Sequence, residues 1–455
     1  MMKISNAKTV DGKIISLEIE NHLISKITES NDVDEKNGLN AINAINTINA
    51  RGKLILPGLV DLHTHLREPG REDSETVASA SKAATAGGYT AISAMANTNP
   101  VADTAGVVEQ VYRLGVEAGY CEVNPIGAVT KGLNGEQLAE LGAMADSIAR
   151  VRIFSDDGKC VSDPLLMRRA LEYVKTFDGL IAQHAQDPRL TINSQMNEGV
   201  ISSRIGLVGW PAVAEESIIA RDILLADHVG SRLHICHVTT AGGVALIRWA
   251  KQRGIQVTAE VTPHHLLLTD DLVENYDPIY KVNPPLRTEK DVWALREALA
   301  DGTIDIVATD HAPHPSEDKD CEWQAAAFGM VGLETSLSVV VKSMVESKLM
   351  SWSTLVERMS SKPAQIAGYD KQGGDLTVGS PANLFLLDPS AKWLVRRDRL
   401  NSKSKNTPFE GMELPAVITD VFYNGVQTIS DSKIVPVPVS NSFNLNSLNQ
   451  GKDLS

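Results

Sequence analysis

Two histidines separated by one threonine, His63 and His65, close an apolar run that begins at Leu56, and Arg67 follows two residues later. If the run is a strand, side chains two apart project to the same side, so both imidazoles face one way. Neutral imidazole is the commonest protein ligand for transition metals, and a pair on one side makes half a site. Alone the pair is a weak signal, because a histidine after a strand is more often a packed or hydrogen-bonded residue. The rest of the chain has to supply the other half.

It does so at the ends of other apolar runs. One run leads into Ser155-Asp156-Asp157-Gly158, and others end at His184, His237 and Asp310. An aspartate at a strand end is, by itself, a helix cap or turn former. Six such residues at equivalent strand ends point to a metal centre instead. Imidazole and carboxylate donors without a thiolate suit Zn(II), with Mn, Co or Ni as substitutes. Four histidines exceed the three protein ligands of one catalytic zinc. Two ions use the whole set: His63, His65 and Asp310 around one, His184 and His237 around the other, Asp157 between them. Such a centre lowers the pKa of a bound water, polarises a carbonyl and leaves a carboxylate to move the proton.

The elements that must position these residues follow from hydrophobic patterning. Strand-like runs at 54–62, 89–96, 122–129, 150–154, 180–183, 233–236, 256–261 and 303–309 alternate with helical patterns, among them 74–86, 134–148, 164–177, 212–227, 241–253 and 289–299. This alternation predicts an α/β fold with a parallel sheet, and eight strands close a (β/α)8 TIM barrel whose sites gather at the carboxyl ends of its strands. An open doubly wound sheet would also fit, but no Gly-x-Gly-x-x-Gly follows a strand. Further strand patterns lie near both ends of the chain. The expected organisation is a small composite β-sandwich from residues 1–55 and 374–437 around a barrel of residues 56–373. The Asn- and Ile-rich stretch 31–49 is expected to be a surface loop or insert, and 438–455 a disordered tail.

Bulk properties narrow the function. The 455 residues carry a formal charge of −14 with no basic patch, which argues against a nucleic-acid partner. No apolar run approaches the roughly 20 residues of a membrane span, and Met1-Met2-Lys3-Ile4-Ser5 lacks the pattern of a signal peptide. Cys121, Cys160, Cys236 and Cys321 are scattered, with no Cys-x-x-Cys pair. That suits a reducing cytoplasm and excludes a cysteine zinc knuckle.

Several longer segments are more specific. They are Pro57 to Gly70 (PGLVDLHTHLREPG), Met95 to Pro100 (MANTNP), Phe154 to Gly158 (FSDDG), Glu260 to His265 (EVTPHH), Val282 to Arg287 (VNPPLR) and Ala308 to His314 (ATDHAPH). With these segments the chain resembles the dihydroorotases of the amidohydrolase superfamily, in their long bacterial (class I) form, over nearly its whole length to about Val435. The resemblance implies a metal-dependent, reversible cyclisation of N-carbamoyl-L-aspartate to L-dihydroorotate in pyrimidine synthesis. It also implies one or two Zn2+ ions, a homodimer, and a possible complex with aspartate transcarbamoylase. Carried over residue by residue, His63, His65, Asp157, His184, His237 and Asp310 match metal ligands, and Asp310 also matches the general acid/base. Arg67, Asn97 and His314 match residues that hold the substrate carboxylate, and Asn283 one near the ring amide. Arg67 makes chemical sense there, since its planar fork suits a carboxylate; the plainer reading is a surface ion pair with Glu68 or Glu72.

Many relatives bridge their metals with a carboxylated lysine on strand 4; Arg152 stands near that place here, so Asp157 is expected to bridge, in preference to Asp156. His264 and His265 are expected to be supporting residues, His234 packed within the barrel, and His311 turned away or orienting a neighbour. Lys281 and Arg287 are possible additions to substrate binding. Two other readings compete: a cyclic amidohydrolase of the dihydropyrimidinase, hydantoinase or allantoinase type, and an inactive scaffold subunit for aspartate transcarbamoylase. A ring lacking a carboxylate has no use for Arg67, and a scaffold would be expected to have lost ligands.

Overall fold

A computed structural model describes residues 1–30 and 46–437. The expectations for 31–45 and for the tail 438–455 lie outside the described residues. Strands β1 (Met2–Lys8), β2 (Ile14–Glu20), β3 (Leu23–Ser30), β4 (Asn46–Asn49) and β5 (Leu54–Pro57) come first. β4 corrects one expectation: the last residues of the presumed insert pair in parallel with β1, with Ile48 opposite Ile4. The pairing gives the backbone of β1 hydrogen-bond partners on the edge opposite β2.

The barrel follows with β6 (Leu59–Thr64), β7 (Tyr89–Ala94), β8 (Glu122–Pro125), β9 (Ile153–Phe154) and β10 (Leu180–Gln183). A small pair, β11 (Met196–Asn197) and β12 (Gly209–Trp210), decorates the next loop, and β13 (Leu233–Ile235), β14 (Val257–Val261) and β15 (Ile306–Val307) complete the ring. All barrel pairings are parallel. Single bridges close it, Gly127 to Phe154 on one side and Thr64 to His311 on the other.

The run 54–62, expected as one strand, is two. β5 pairs with β16 (Leu384–Leu394) of the terminal sheet, whereas β6 begins the barrel. Gly58 makes the change of sheet possible: its N–H donates to Asn383 O, and a Cβ there would lie 2.1 Å from Thr90 Oγ1. The helix expected at 134–148 shortens to Leu141–Asp146, preceded by a turn at Lys131–Leu133. Gly135, at positive φ, breaks the expected helix near its start.

With β17 (Glu413–Tyr423), β18 (Val426–Ser430) and β19 (Lys433–Ile434), the terminal strands form one nine-stranded sheet among the described residues. Along β5 and the start of β16 its two faces alternate. Leu54, Leu56, Phe385 and Leu387 join the core shared with the barrel helices, whereas Ile55, Leu384 and Leu386 join a separate core with Ile4, Leu17 and Ile24. The same alternation aims the barrel side chains. Leu233 and Ile235 of β13, and Val257, Ala259 and Val261 of β14, pack into the outer layer. His234, Thr258 and Glu260 therefore point inward.

Candidate metal centre and substrate rim

Every residue expected in the metal centre lies at the carboxyl end of a barrel strand, and all six are buried. Asp157 is the meeting point. Its carboxylate lies 3.3 Å from both His63 Nε2 and His65 Nε2, 3.2 Å from His184 Nδ1 and 3.1 Å from His237 Nε2. Two trios capable of holding an ion share it: His63, His65 and Asp157, and Asp157, His184 and His237. Asp310 approaches the first, 3.1 Å from His65 Nε2 and 3.6 Å from His63 Nε2. His184 Nδ1 and His237 Nε2 converge to 3.0 Å. The backbone is strained to achieve this: His237, Asp310 and Arg67 have φ of 29°, 47° and 65°.

Asp156 does different work. Its oxygens accept from the N–H groups of Val129 and Thr130 and from the Thr130 hydroxyl, so it clamps the preceding loop. Arg152 donates to Ala145 O and Val151 O and lies over Phe177, outside the centre.

Electrostatics match the geometry. Burial opposes ionisation of Asp157, yet the surrounding imidazoles hold its carboxyl well below the usual range. Burial likewise works against Asp310, and His65, His63 and His237 bring it down to about 2. Burial disfavours a charged His63, but Asp157 and Glu260 raise its basicity well above the ordinary value. Opposite charges packed at this distance dominate desolvation.

Three of the four imidazoles also have their outer nitrogens occupied. His65 Nδ1 donates to Asn97 Oδ1 at 2.9 Å, and His184 Nε2 donates to Gln186 Oε1 at 2.7 Å. His63 Nδ1 lies 2.6 Å from Glu260 Oε1. Glu260 and Gln186 were given no role on sequence grounds. Glu260 carried a usable signal, an acidic residue between Ala259 and Val261 inside a buried strand, where a charge needs partners.

Around this centre lies a more open rim. Half-buried Arg67 donates from Nε to Pro313 O at 3.1 Å, and its Nη2 sits 3.4 Å from His314 Nε2. It does not pair with Glu68 or Glu72, whose carboxylates accept from the N–H groups of Val77 and Gly70. Burial lowers Arg67 to about 10, so it stays cationic. His314 Nε2 approaches Phe328 O at 2.9 Å; burial, reinforced by Arg67, pushes this imidazole down to about 3 and keeps it neutral. Asn97 spends its Oδ1 on His65 and keeps its amide hydrogens. Asn283 donates to Gln186 Oε1 at 3.2 Å, while its buried Oδ1 has no partner.

The remaining histidines support. His234 lies between Thr258 and Glu260, and His265 between Thr262 and Pro284 O. His264 is buried beside the centre with a free Nε2, and burial lowers it to about 4. His311 accepts from Gly332 N–H and faces Glu75 at 3.5 Å. Lys281 and Arg287, expected as additions to substrate binding, are engaged by the surrounding chain. Lys281 donates to Trp323 O and Gln324 O, and Arg287 to Asn197, Trp210 O and Thr239.

Comparison with known proteins agrees with this architecture. Residues 52–242 match the family model described as dihydro-orotase-like. The chain is 67% identical over 385 residues to a dihydroorotase of Streptomyces coelicolor, covering 85% of this chain and 90% of the relative. It is 65% identical over 386 residues to a dihydroorotase of Leifsonia xyli, covering 85% and 88%. Among solved structures, the L-hydantoinase (dihydropyrimidinase) of Arthrobacter aurescens superposes with a TM-score of 0.81 at 26% identity, covering 96% of this chain and 97% of the other. On these similarities, and with this barrel, the chain belongs to the dihydroorotase family of cyclic amidohydrolases.

Proposed function

We propose that this chain cyclises N-carbamoyl-L-aspartate to L-dihydroorotate, and hydrolyses the ring in reverse, as a zinc-dependent enzyme of pyrimidine synthesis. The observation that carries the choice of substrate is Arg67. Among the described residues it has no carboxylate partner, yet its guanidinium flanks the centre beside His314. A cation left open at a hydrolase mouth suits a substrate anion.

The donor set fits a metal. His63 Nε2 is buried without a hydrogen-bond partner and faces two carboxylates. Nitrogen and oxygen donors without a thiolate favour Zn(II), with Co(II) or Mn(II) as substitutes. His63, His65 and Asp310 would hold one ion, His184 and His237 the other, with Asp157 common to both; one ion could also occupy part of this set. Bound ions supply Lewis-acid polarisation of the amide carbonyl and a nucleophilic water at neutral pH.

The chain's own groups do the rest. Asp310, its carboxyl held low by the neighbouring imidazoles, takes the proton of the attacking water and delivers it to the ring nitrogen during hydrolysis. Arg67, Asn97 and His314 hold the substrate carboxylate, and the free Oδ1 of Asn283 accepts a ring N–H. Loop backbone and neighbouring amides fix these groups in advance, which removes orientational freedom from the barrier.

A homodimer, and association with aspartate transcarbamoylase, belong to the same proposal and rest on resemblance. A cytoplasmic location is supported by four free cysteines. Among the described residues, no helix is long and apolar enough to cross a membrane. The deciding experiment compares turnover of L-dihydroorotate, hydantoin and allantoin, with metal content measured on the same sample. Activity confined to dihydroorotate supports the proposal; preference for hydantoin would replace it with the hydantoinase reading.

A further inference from the structure

Glu260 occupies an unusual position for a buried acid. Its Oε1 lies 2.6 Å from His63 Nδ1 and accepts the His237 backbone N–H at 3.2 Å, while its Oε2 lies 3.0 Å from His234 Nε2. A carboxylate oxygen can only accept, so the facing ring nitrogens of His63 and His234 carry protons. With Nδ1 protonated, neutral His63 must present a lone pair at Nε2, the atom that faces Asp157 and Asp310. His234 is fixed in turn, because the Thr258 hydroxyl reaches its Nδ1 at 2.8 Å. The chain Thr258–His234–Glu260–His63 thus runs through the barrel interior to the centre.

Two of the other imidazoles lack this backing. His65 and His184 rest their outer nitrogens on the neutral amides of Asn97 and Gln186. A carboxylate acceptor makes an imidazole more electron-rich at its far nitrogen and holds the ring plane harder than an amide does. Cys236, His63 and Glu260 could themselves be taken for an ion site, since their donor atoms lie within 4.8 Å of one another. Glu260 has no oxygen to spare for that, since both already accept from ring and backbone nitrogens.

We infer that Glu260 is a positioning residue for the metal centre, anchored by His234 and Thr258, and that it strengthens binding of the ion on the His63 side, where it meets the ligand ring itself. The inference rests on the metal reading given above. Glu260→Gln keeps the shape of the side chain and removes the charge. Zinc titrated against a chromophoric chelator, with the full-length chain, should show one ion weakened roughly 10- to 100-fold and the other little changed. The visible spectrum of the Co(II)-loaded protein should shift as well, which a merely structural role would not cause. Thr258→Val, at the far end of the chain of contacts, should weaken the same ion by a smaller factor, and it serves if Glu260→Gln does not fold. Equal affinities in wild type and Glu260→Gln, or in wild type and Thr258→Val where only that variant folds, would overturn the positioning role alone. A wild-type chain that takes up no zinc would overturn the metal reading and this inference with it.

Discussion

At the bottom of the barrel mouth, His63, His65, Asp157, His184, His237 and Asp310 direct their polar atoms at one another. At its rim, Arg67 lacks a carboxylate partner among the described residues and Asn283 keeps a buried oxygen without one. The two regions are neighbours, yet one gathers its donors around a shared carboxylate and the other leaves a cation without a carboxylate and an amide oxygen without a partner. The contrast separates two tasks. In the proposed reading the centre gathers a charge-dense donor set for an ion, and the rim offers atoms for a substrate. Substitution in the first should act on turnover and metal, and in the second on substrate affinity.

Three perturbations test that division. Asp310→Asn removes the proton carrier without changing shape, and kcat for dihydroorotate should fall by about 1,000-fold. An active variant with unchanged circular dichroism would show that another group moves the proton. Next in size is metal removal. If free zinc stands 100-fold above Kd, stripping it with a chelator should cost about 2.7 kcal/mol of stability. Thermal melting reads this, and zinc or cobalt, but not magnesium, should restore the midpoint. Arg67→Met should raise KM for dihydroorotate roughly 10- to 100-fold, the worth of a charge-assisted hydrogen bond of about 1.5–3 kcal/mol. The same variant should leave zinc stoichiometry unchanged. If it loses zinc instead, centre and rim are one unit.

The cluster was legible in the sequence because strand ends converge in a barrel: a census of polar residues at apolar boundaries finds five of the six outright, and the sixth as one of two adjacent aspartates. Asp157 could not be separated from Asp156 by physical pattern alone. Only the observed contacts show Asp156 clamping Thr130 while Asp157 faces four imidazoles. Glu260 and Gln186 were missed for a related reason. Their work is done through another side chain, and nothing in spacing says which imidazole a distant acid or amide will meet. The fold was legible in its alternation of elements but not at Gly58, where one apolar run serves two sheets. Hydrophobicity records that both strands are buried, and only steric contact with Thr90 records the change of direction.

The weakest expected effect concerns what holds the rim in place. Lys319 donates to Lys281 O at 2.7 Å and Ala327 O at 2.8 Å, and Lys281 in turn donates to Trp323 O. The two lysines tie down the segment that ends at Phe328, whose carbonyl meets His314. Burial, with the Lys281 charge adding to it, lowers Lys319 to about 7. In the unfolded chain the amine keeps its proton up to about 10.4. Between these values the unfolded state binds more protons, so stability rises with pH above about 7. For one such group the gain is about 1 kcal/mol between pH 7 and pH 8. Lys319→Met should lack that increment, so the stability of wild type relative to the variant, measured by urea unfolding, should grow over this interval. A constant difference would mean that the ammonium is solvated in solution, and that the rim is held by backbone contacts without its help.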